Sequence, residues 1–243
     1  MLKAIISPHA GYAYSGPCAA WCYRELAESK LPDTFIILGV DHSGYGRTAL
    51  SMDSWETPLG MMRIDNELAS ELVKKAHIPD DDLAHSQEHS IEVQLPFLQF
   101  VNKQEFERLR FIPITISNDR DIKQLALDIT ECIMDLNRNV TFIVSSDMTH
   151  YGRNYRFLPF TSEVPKRLYE LDAGAIKLIK ALDGEGFMDY IEQTMATICG
   201  QLSIYLLLNL LKKSKGELLQ YYTSGDITGD YKNSVGYAAI VFK

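Results

Sequence analysis

The sequence predicts an α/β fold with a mostly parallel or mixed central sheet and helices on both faces. Four short apolar runs, at residues 3–7, 34–40, 110–116 and 140–146, are rich in β-branched side chains. They are apolar at nearly every position instead of every second one, which suits strands covered on both faces. Segments with helical periodicity separate them, and strand-helix alternation joins parallel neighbours through crossovers. The chain has 243 residues, with no repeat, linker or low-complexity stretch. One α/β domain routinely fills that length, so residues 1–243 are read as a single domain.

The first run stops at Pro8-His9-Ala10-Gly11, which leaves His9 just past the carboxyl end of a strand. Ser15-Gly16-Pro17 supplies a helix start, because proline suits the first helical turn, and residues 19–26 continue it with helix formers. The second run ends at Asp41-His42. Residues 66–76 show helical periodicity, and another helical stretch begins near Glu88 and runs through Phe97, with Pro96 expected to kink or end it. After the third run, Ser117-Asn118-Asp119 offers caps for a helix over 120–136. The fourth run leads into Asp147-Met148-Thr149-His150. Helices are expected over 163–182, 186–194 and 200–211, with Gly184 and Gly186 as breakers. Two closing strands, 218–223 and 235–242, flank a Gly/Asp-rich turn and form an antiparallel pair.

Composition narrows the function. The formal net charge of −8 and a pI near 5.3 argue against nucleic acid, whose phosphates are held by clustered Lys and Arg. The longest strongly apolar stretch, 204–211, is far short of the roughly 20 residues of a membrane span. The N-terminus lacks a signal-peptide layout, so a cytoplasmic location is expected. Cys18, Cys22, Cys132 and Cys199 follow neither a disulfide framework nor a zinc-ribbon spacing. Reduced thiols follow, the first three as core residues in apolar helical context.

Ligands of open α/β sheets gather outside the carboxyl ends of the strands, and three strands here deliver His9, His42 and the Asp147/His150 pair to that edge. Two neutral imidazoles and one anionic ligand make a metal site with positions left open for substrate. The same rings could instead hydrogen-bond loop backbone. Asp147 and His150 could ligate a metal, orient its ligands or move protons, and Asp147 could also cap a helix. His85, Glu88, His89 and Glu92 do not follow the His-Glu-x-x-His order of zinc proteases, and this Gln/Glu/His-rich loop is expected to be solvated. His77 is expected as an exposed helix-end residue. His42-Ser-Gly-Tyr-Gly46 matches neither a P-loop nor a dinucleotide fingerprint, and no Gly-x-Ser-x-Gly elbow occurs, so neither a nucleotide cofactor nor a serine hydrolase is predicted.

Five separated segments resemble one family. They are Pro8-His-Ala-Gly-Tyr12 with Tyr14-Ser-Gly16, Leu38-Gly-Val-Asp-His42, Glu88-His-Ser-Ile-Glu92, Ser145-Ser-Asp-Met-Thr-His-Tyr-Gly152, and Thr197-Ile-Cys-Gly200. In that order, with Thr57-Pro-Leu59 and the closing Val235-Gly-Tyr-Ala, the sequence is similar to the Memo family, whose members share a fold with class III extradiol (LigB-type) dioxygenases. The resemblance implies His9, His42 and Cys199 as metal ligands, with Asp147, His150 and His89 as further pocket groups. It also implies iron or copper as the metal, with zinc as another soft-ligand choice, because a thiolate replaces the carboxylate of the dioxygenases and makes ring cleavage a lesser expectation. Members of the family usually carry a His-Ala-Gly-Ser-Trp-Tyr-like segment ahead of the first strand, and functions resting on that segment are not carried over. Three functions are thereby expected in rank order. The first is a metal-dependent redox protein with an extradiol-dioxygenase-like pocket. The second is a non-catalytic signalling module that binds phosphotyrosine-like or other anionic peptides, with Arg47, Arg63 and Arg153 as the available cations. The third is an oxygenase of a small phenolic molecule.

Overall fold

Strands that are apolar at consecutive positions need cover on both faces, and all four runs lie inside one ten-stranded sheet. The computed structural model describes residues 2–211 and 213–243. In chain order the elements are β1 (Ala4–Ser7), α1 (Tyr12–Ala27), β2 (Thr34–Val40), β3 (Ala49–Leu50), β4 (Trp55–Thr57), β5 (Gly60–Ile64), α2 (Asn66–Lys74), α3 (Leu95–Val101) and β6 (Arg110–Ile116). There follow α4 (Ile122–Asp135), β7 (Val140–Ser145), β8 (His150–Gly152), α5 (Val164–Lys180), α6 (Gly184–Thr194), α7 (Gln201–Leu210), β9 (Gly216–Thr223), α8 (Ser224–Thr228) and β10 (Asn233–Phe242).

The sheet order is β4-β5-β6-β2-β7-β1-β10-β8, with β3 on β6 and β9 on β10. From β5 to β1 every neighbouring pair is parallel, while β4, β3, β10, β9 and β8 pair antiparallel. Helix α1 packs on β1, β9 and β10 with α3 behind it, and α7 packs on β2 and β7 between α4 and α6. This cover leaves every residue of β1 and β2 buried, and side chains such as Ile36 and Ile37 each contribute about 1.5–3 kcal/mol by leaving water. Register also places the site. With β2, β7 and β1 adjacent and parallel, their carboxyl ends emerge side by side on one edge.

Several boundaries differ from the sequence expectation for local reasons. Helix α1 starts at Tyr12, with Gly11 as N-cap, so Pro17 lies inside it. The carbonyl that Pro17 cannot serve belongs to Ala13, an exposed residue where water can replace the missing bond. The stretch expected as one helix from Glu88 is a 3-10 turn over Glu92–Gln94 followed by α3, in which Pro96 sits in the first turn and starts the helix instead of ending it. Asp121 caps α4 by accepting the N–H groups of Lys123 and Gln124, while Asp119 bonds Thr48 instead. Gly184 and Gly186 belong to the first turn of α6, because Asp183 accepts the Gly186 N–H and caps it. Strands β3, β4 and β8 have only two or three residues, too few for a periodic signal, and β5 opens on Gly60 and carries exposed Arg63, which breaks an apolar run. The closing pair β9/β10 is antiparallel as expected, and its connecting turn holds α8, started by a capping box of Thr223 and Asp226. Cys18, Cys22 and Cys132 are buried and free, and His77 is exposed. Among the described residues no helix is long and apolar enough to cross a membrane.

Candidate metal centre

His9 follows β1, His42 follows β2 and Asp147 follows β7, so the adjacency of the three strands delivers them to one spot. Cys199 arrives from the turn before α7, held by an antiparallel bridge between Ile198 and Thr149 and by the Gly200 N–H donating to Ser146 Oγ. A side chain on Gly200 would lie 2.5 Å from Ser146 Cβ, so only glycine lets this turn sit against β7. The ligand atoms of His9, His42 and Cys199 all lie within 4.8 Å of one another. Cys199 Sγ is 3.3 Å from His9 Nε2. Nitrogen and sulfur ligands at ~2.0–2.3 Å from one tetrahedral ion stand roughly 3.5 Å apart, so this pair already has ligand spacing.

Hydrogen-bond bookkeeping fixes which nitrogen of His9 is free. Gln94 donates through Nε2 to the Pro8 carbonyl at 3.0 Å and to Ser145 Oγ at 2.8 Å, while its Oε1 accepts the Tyr23 hydroxyl. Ser145 uses its single hydrogen on the Ser90 carbonyl at 2.6 Å. Its oxygen can then only accept from His9 Nδ1, 3.0 Å away, which makes that nitrogen the donor and leaves the Nε2 lone pair facing Cys199. Glu88 does the same for His42. Its Oε1 accepts from His42 Nδ1 at 3.0 Å and from the Ser90 N–H, and its Oε2 from the His42 N–H at 2.7 Å. A carboxylate or hydroxyl behind a ligating imidazole is the usual way a metal site sets tautomer and ring direction.

The electrostatics agree with a neutral His9 and a protonated Cys199 in the absence of metal. Burial, with the nearby His42 and His89 rings, lowers His9 from the usual imidazole value to about 4, although Asp147 pulls the other way. Burial, aided by the charge of Asp147, pushes the Cys199 thiol well up. Glu88 is held at about 2: burial opposes ionisation, but the His42 ring and the Ser90 and His42 N–H groups outweigh it. These groups suit soft N/S coordination in which the thiol gives up its proton only when a metal replaces it.

Asp147 is buried, and its Oδ1 accepts the N–H groups of His9 and Ala10 at 2.9 and 3.3 Å, while its own N–H points at Cys199 Sγ from 3.2 Å. It therefore ties the His9 loop to the Cys199 turn. It caps no helix, since the chain continues into β8. His89 stacks on His42 with centroids 4.9 Å apart and meets His9 edge-on at 5.5 Å. His150 lies on β8, its Nδ1 between the carbonyls of Met148 and Thr197 and its ring against Tyr155. It belongs to none of the ligand-spaced groups found among the described residues. The loop around residues 85–92 is not solvated as expected: Glu88 and His85 are buried, because Glu88 reaches across to His42. His42, Glu88 and His89 form a second ligand-spaced group, but all three hydrogen bonds to Glu88 come from protein N–H donors, which makes it a support for His42. None of Glu88, Ser145 and Gln94 was expected in these supporting roles; Glu88 and Ser145 open two of the family segments, which was the available signal, whereas nothing local marks Gln94.

Beside His9 and His89 opens a cavity of about 480 Å³, lined further by Tyr12, Thr57, Pro58, Val93 and Pro96. A family model described as Memo-like protein matches residues 1–241. A MEMO1 family protein of Methanopyrus kandleri is 41% identical, aligned over 100% of this chain and 83% of its own length. One of Pyrococcus abyssi is 38% identical, over 100% of this chain and 87% of its own. Among solved structures, an uncharacterized protein of Escherichia coli K12 superposes with a TM-score of 0.58 at 11% identity, covering 99% of both chains, a likeness of fold alone.

Proposed function

This chain belongs to the Memo family, and on that basis we propose that it is a metal-dependent redox protein. It holds iron or copper through His9 Nε2, His42 Nε2 and Cys199 Sγ. The observation that carries this reading is the pair of hydrogen-bonded supports, Ser145 behind His9 and Glu88 behind His42, that leave both Nε2 atoms free beside a thiol 3.3 Å from one of them. Two imidazoles and a thiolate favour a soft or borderline metal, and such an ion supplies one-electron chemistry with open positions for a ligand.

The chain's own residues have separable tasks. Ser145 and Glu88 set the tautomers, and Asp147 is a positioning residue that acts through the backbone of His9 and through Cys199. His89, exposed and stacked on His42, is the group placed to move protons between the cluster and solvent. His150, with Nδ1 committed to two carbonyls, keeps Nε2 as an acceptor and serves as a further pocket imidazole. The test is elemental analysis of anaerobically purified protein that has not met a metal-charged resin. One iron or copper per chain is expected, falling in His9→Ala and in Cys199→Ser. Unchanged metal content in both variants would overturn the reading.

A further inference from the structure

The cavity beside His9 and His89 has a one-sided charge. Its lining includes two exposed carboxylates, Glu56, on β4, and Glu92, in the turn before α3, and an apolar wall of Tyr12, Pro58, Val93 and Pro96 beside the two imidazoles. No Lys or Arg lines it. Neither glutamate takes part in the ion pairs found among the described residues, whereas two of the three arginines near the family motifs are engaged, Arg47 with Asp81 and Arg63 with Glu107. The Tyr12 hydroxyl is also spent, donating to the Val93 carbonyl. An anion entering here would meet two uncompensated carboxylates, and a cation would meet two free partners. At about 480 Å³ the space is that of a small-molecule pocket, with apolar walls and few polar groups.

We propose that this cavity admits a small organic cation, an apolar body bearing an ammonium group, with the body against Tyr12, Pro58, Val93 and Pro96 and the charge between Glu56 and Glu92. The inference rests on the metal-site reading, since it names the ligand class for that same site. It also turns the anionic-peptide alternative away from this cavity.

The experiment uses the full chain as purified, with its metal content measured on every sample. Benzyltrimethylammonium, benzyl alcohol and benzylsulfonate share one body and differ in charge, and the quaternary nitrogen cannot ligate a metal. Binding is followed by calorimetry at low ionic strength and by the ring resonances of His9 and His89. The cation is expected to bind most tightly, the sulfonate least, and Glu56→Gln with Glu92→Gln should reduce the cation's advantage by about tenfold. Glu192→Gln, which removes an exposed carboxylate on α6, should leave the advantage intact and so separate a local effect from the net charge of −8. A sulfonate that binds as well as the cation, a cation preference that survives the double substitution, or no binding of any probe overturns the proposal. Absence of any cation preference in a wild-type chain that still carries one metal sinks the ligand class alone, whereas a wild-type chain without metal sinks the site reading beneath it.

Discussion

Replacing Glu88 by Gln tests the support behind His42 directly. Three N–H donors converge on this carboxylate, from the His42 ring, the His42 backbone and the Ser90 backbone. Glutamine offers one oxygen, so its amide nitrogen must face a donor and one bond becomes a repulsion. The depression of the carboxyl from 4.5 to about 2 corresponds to about 3 kcal/mol at ~1.4 kcal/mol per unit, and the one oxygen that glutamine keeps still accepts part of the donor set, which leaves about 2 kcal/mol at stake. Because the folded value lies below the unfolded one, that contribution is complete above 4.5 and is lost as pH falls through about 2. In a chain of 243 residues, about 2 kcal/mol is a Tm change of roughly 4–8 °C. Thermal unfolding followed by circular dichroism, on chelator-stripped wild type and Glu88→Gln, should show that gap at neutral pH and a shrinking gap on acidification. Metal affinity, measured separately, should fall by roughly 10–100-fold. Equal Tm values at neutral pH, or a gap that acid leaves untouched, would refute the assignment of Glu88 as the ionised support of His42.

Two further outcomes follow from other parts of the same edge. Gly200→Ala places a methyl 2.5 Å from Ser146 Cβ and 2.6 Å from its Oγ, so urea unfolding should show a loss of about 1–3 kcal/mol, and metal binding should weaken as the Cys199 turn shifts. Asp172 is fully buried on α5, taking the hydroxyls of Thr149 and Tyr221 and the Thr149 N–H, yet burial raises it from 3.8 to about 6 despite those bonds. A raised acid favours the folded state below 3.8 and surrenders that advantage as pH rises through about 6, so in Asp172→Asn the wild type's downward slope of stability across that window should disappear. Urea midpoints taken on either side of the window decide it.

The architecture was legible because burial on both faces writes itself into consecutive positions: β1, β2, β6 and β7 are the four apolar runs, and the strands that escaped notice, β3, β4, β5 and β8, are short pieces at or near the edges of the sheet. His9 and His42 stood out for a related reason, since each follows directly on the end of such a run. Cys199 carries no such mark. It sits in a turn after Ala196-Thr197-Ile198, where a thiol reads as filler, and only the family resemblance singled it out. Glu88 opens another of the family segments, but its role was hidden, because a carboxylate in a Gln/His-rich loop resembles solvated chain until a partner 46 residues away takes it out of water.

Strand order explains why spacing alone could not assemble the site. His9 and Ser145 are 136 residues apart, and Cys199 lies 190 from His9, separations that no periodicity reports. They meet because β1, first in the chain, lies beside β7 in the sheet, and β7 lies beside β2. That adjacency brings the hydroxyl of Ser145 behind the ring of His9 and the carboxylate of Asp147 under its backbone N–H. His9 and the Cys199 turn are therefore held from behind by the end of β7, His42 is held by Glu88 from a loop, and the face left open is the cavity lined by Glu56, Glu92 and Tyr12. If His9, His42 and Cys199 hold a metal, such a division would keep the ligand set rigid while residues outside the strands' parallel core choose the approaching molecule.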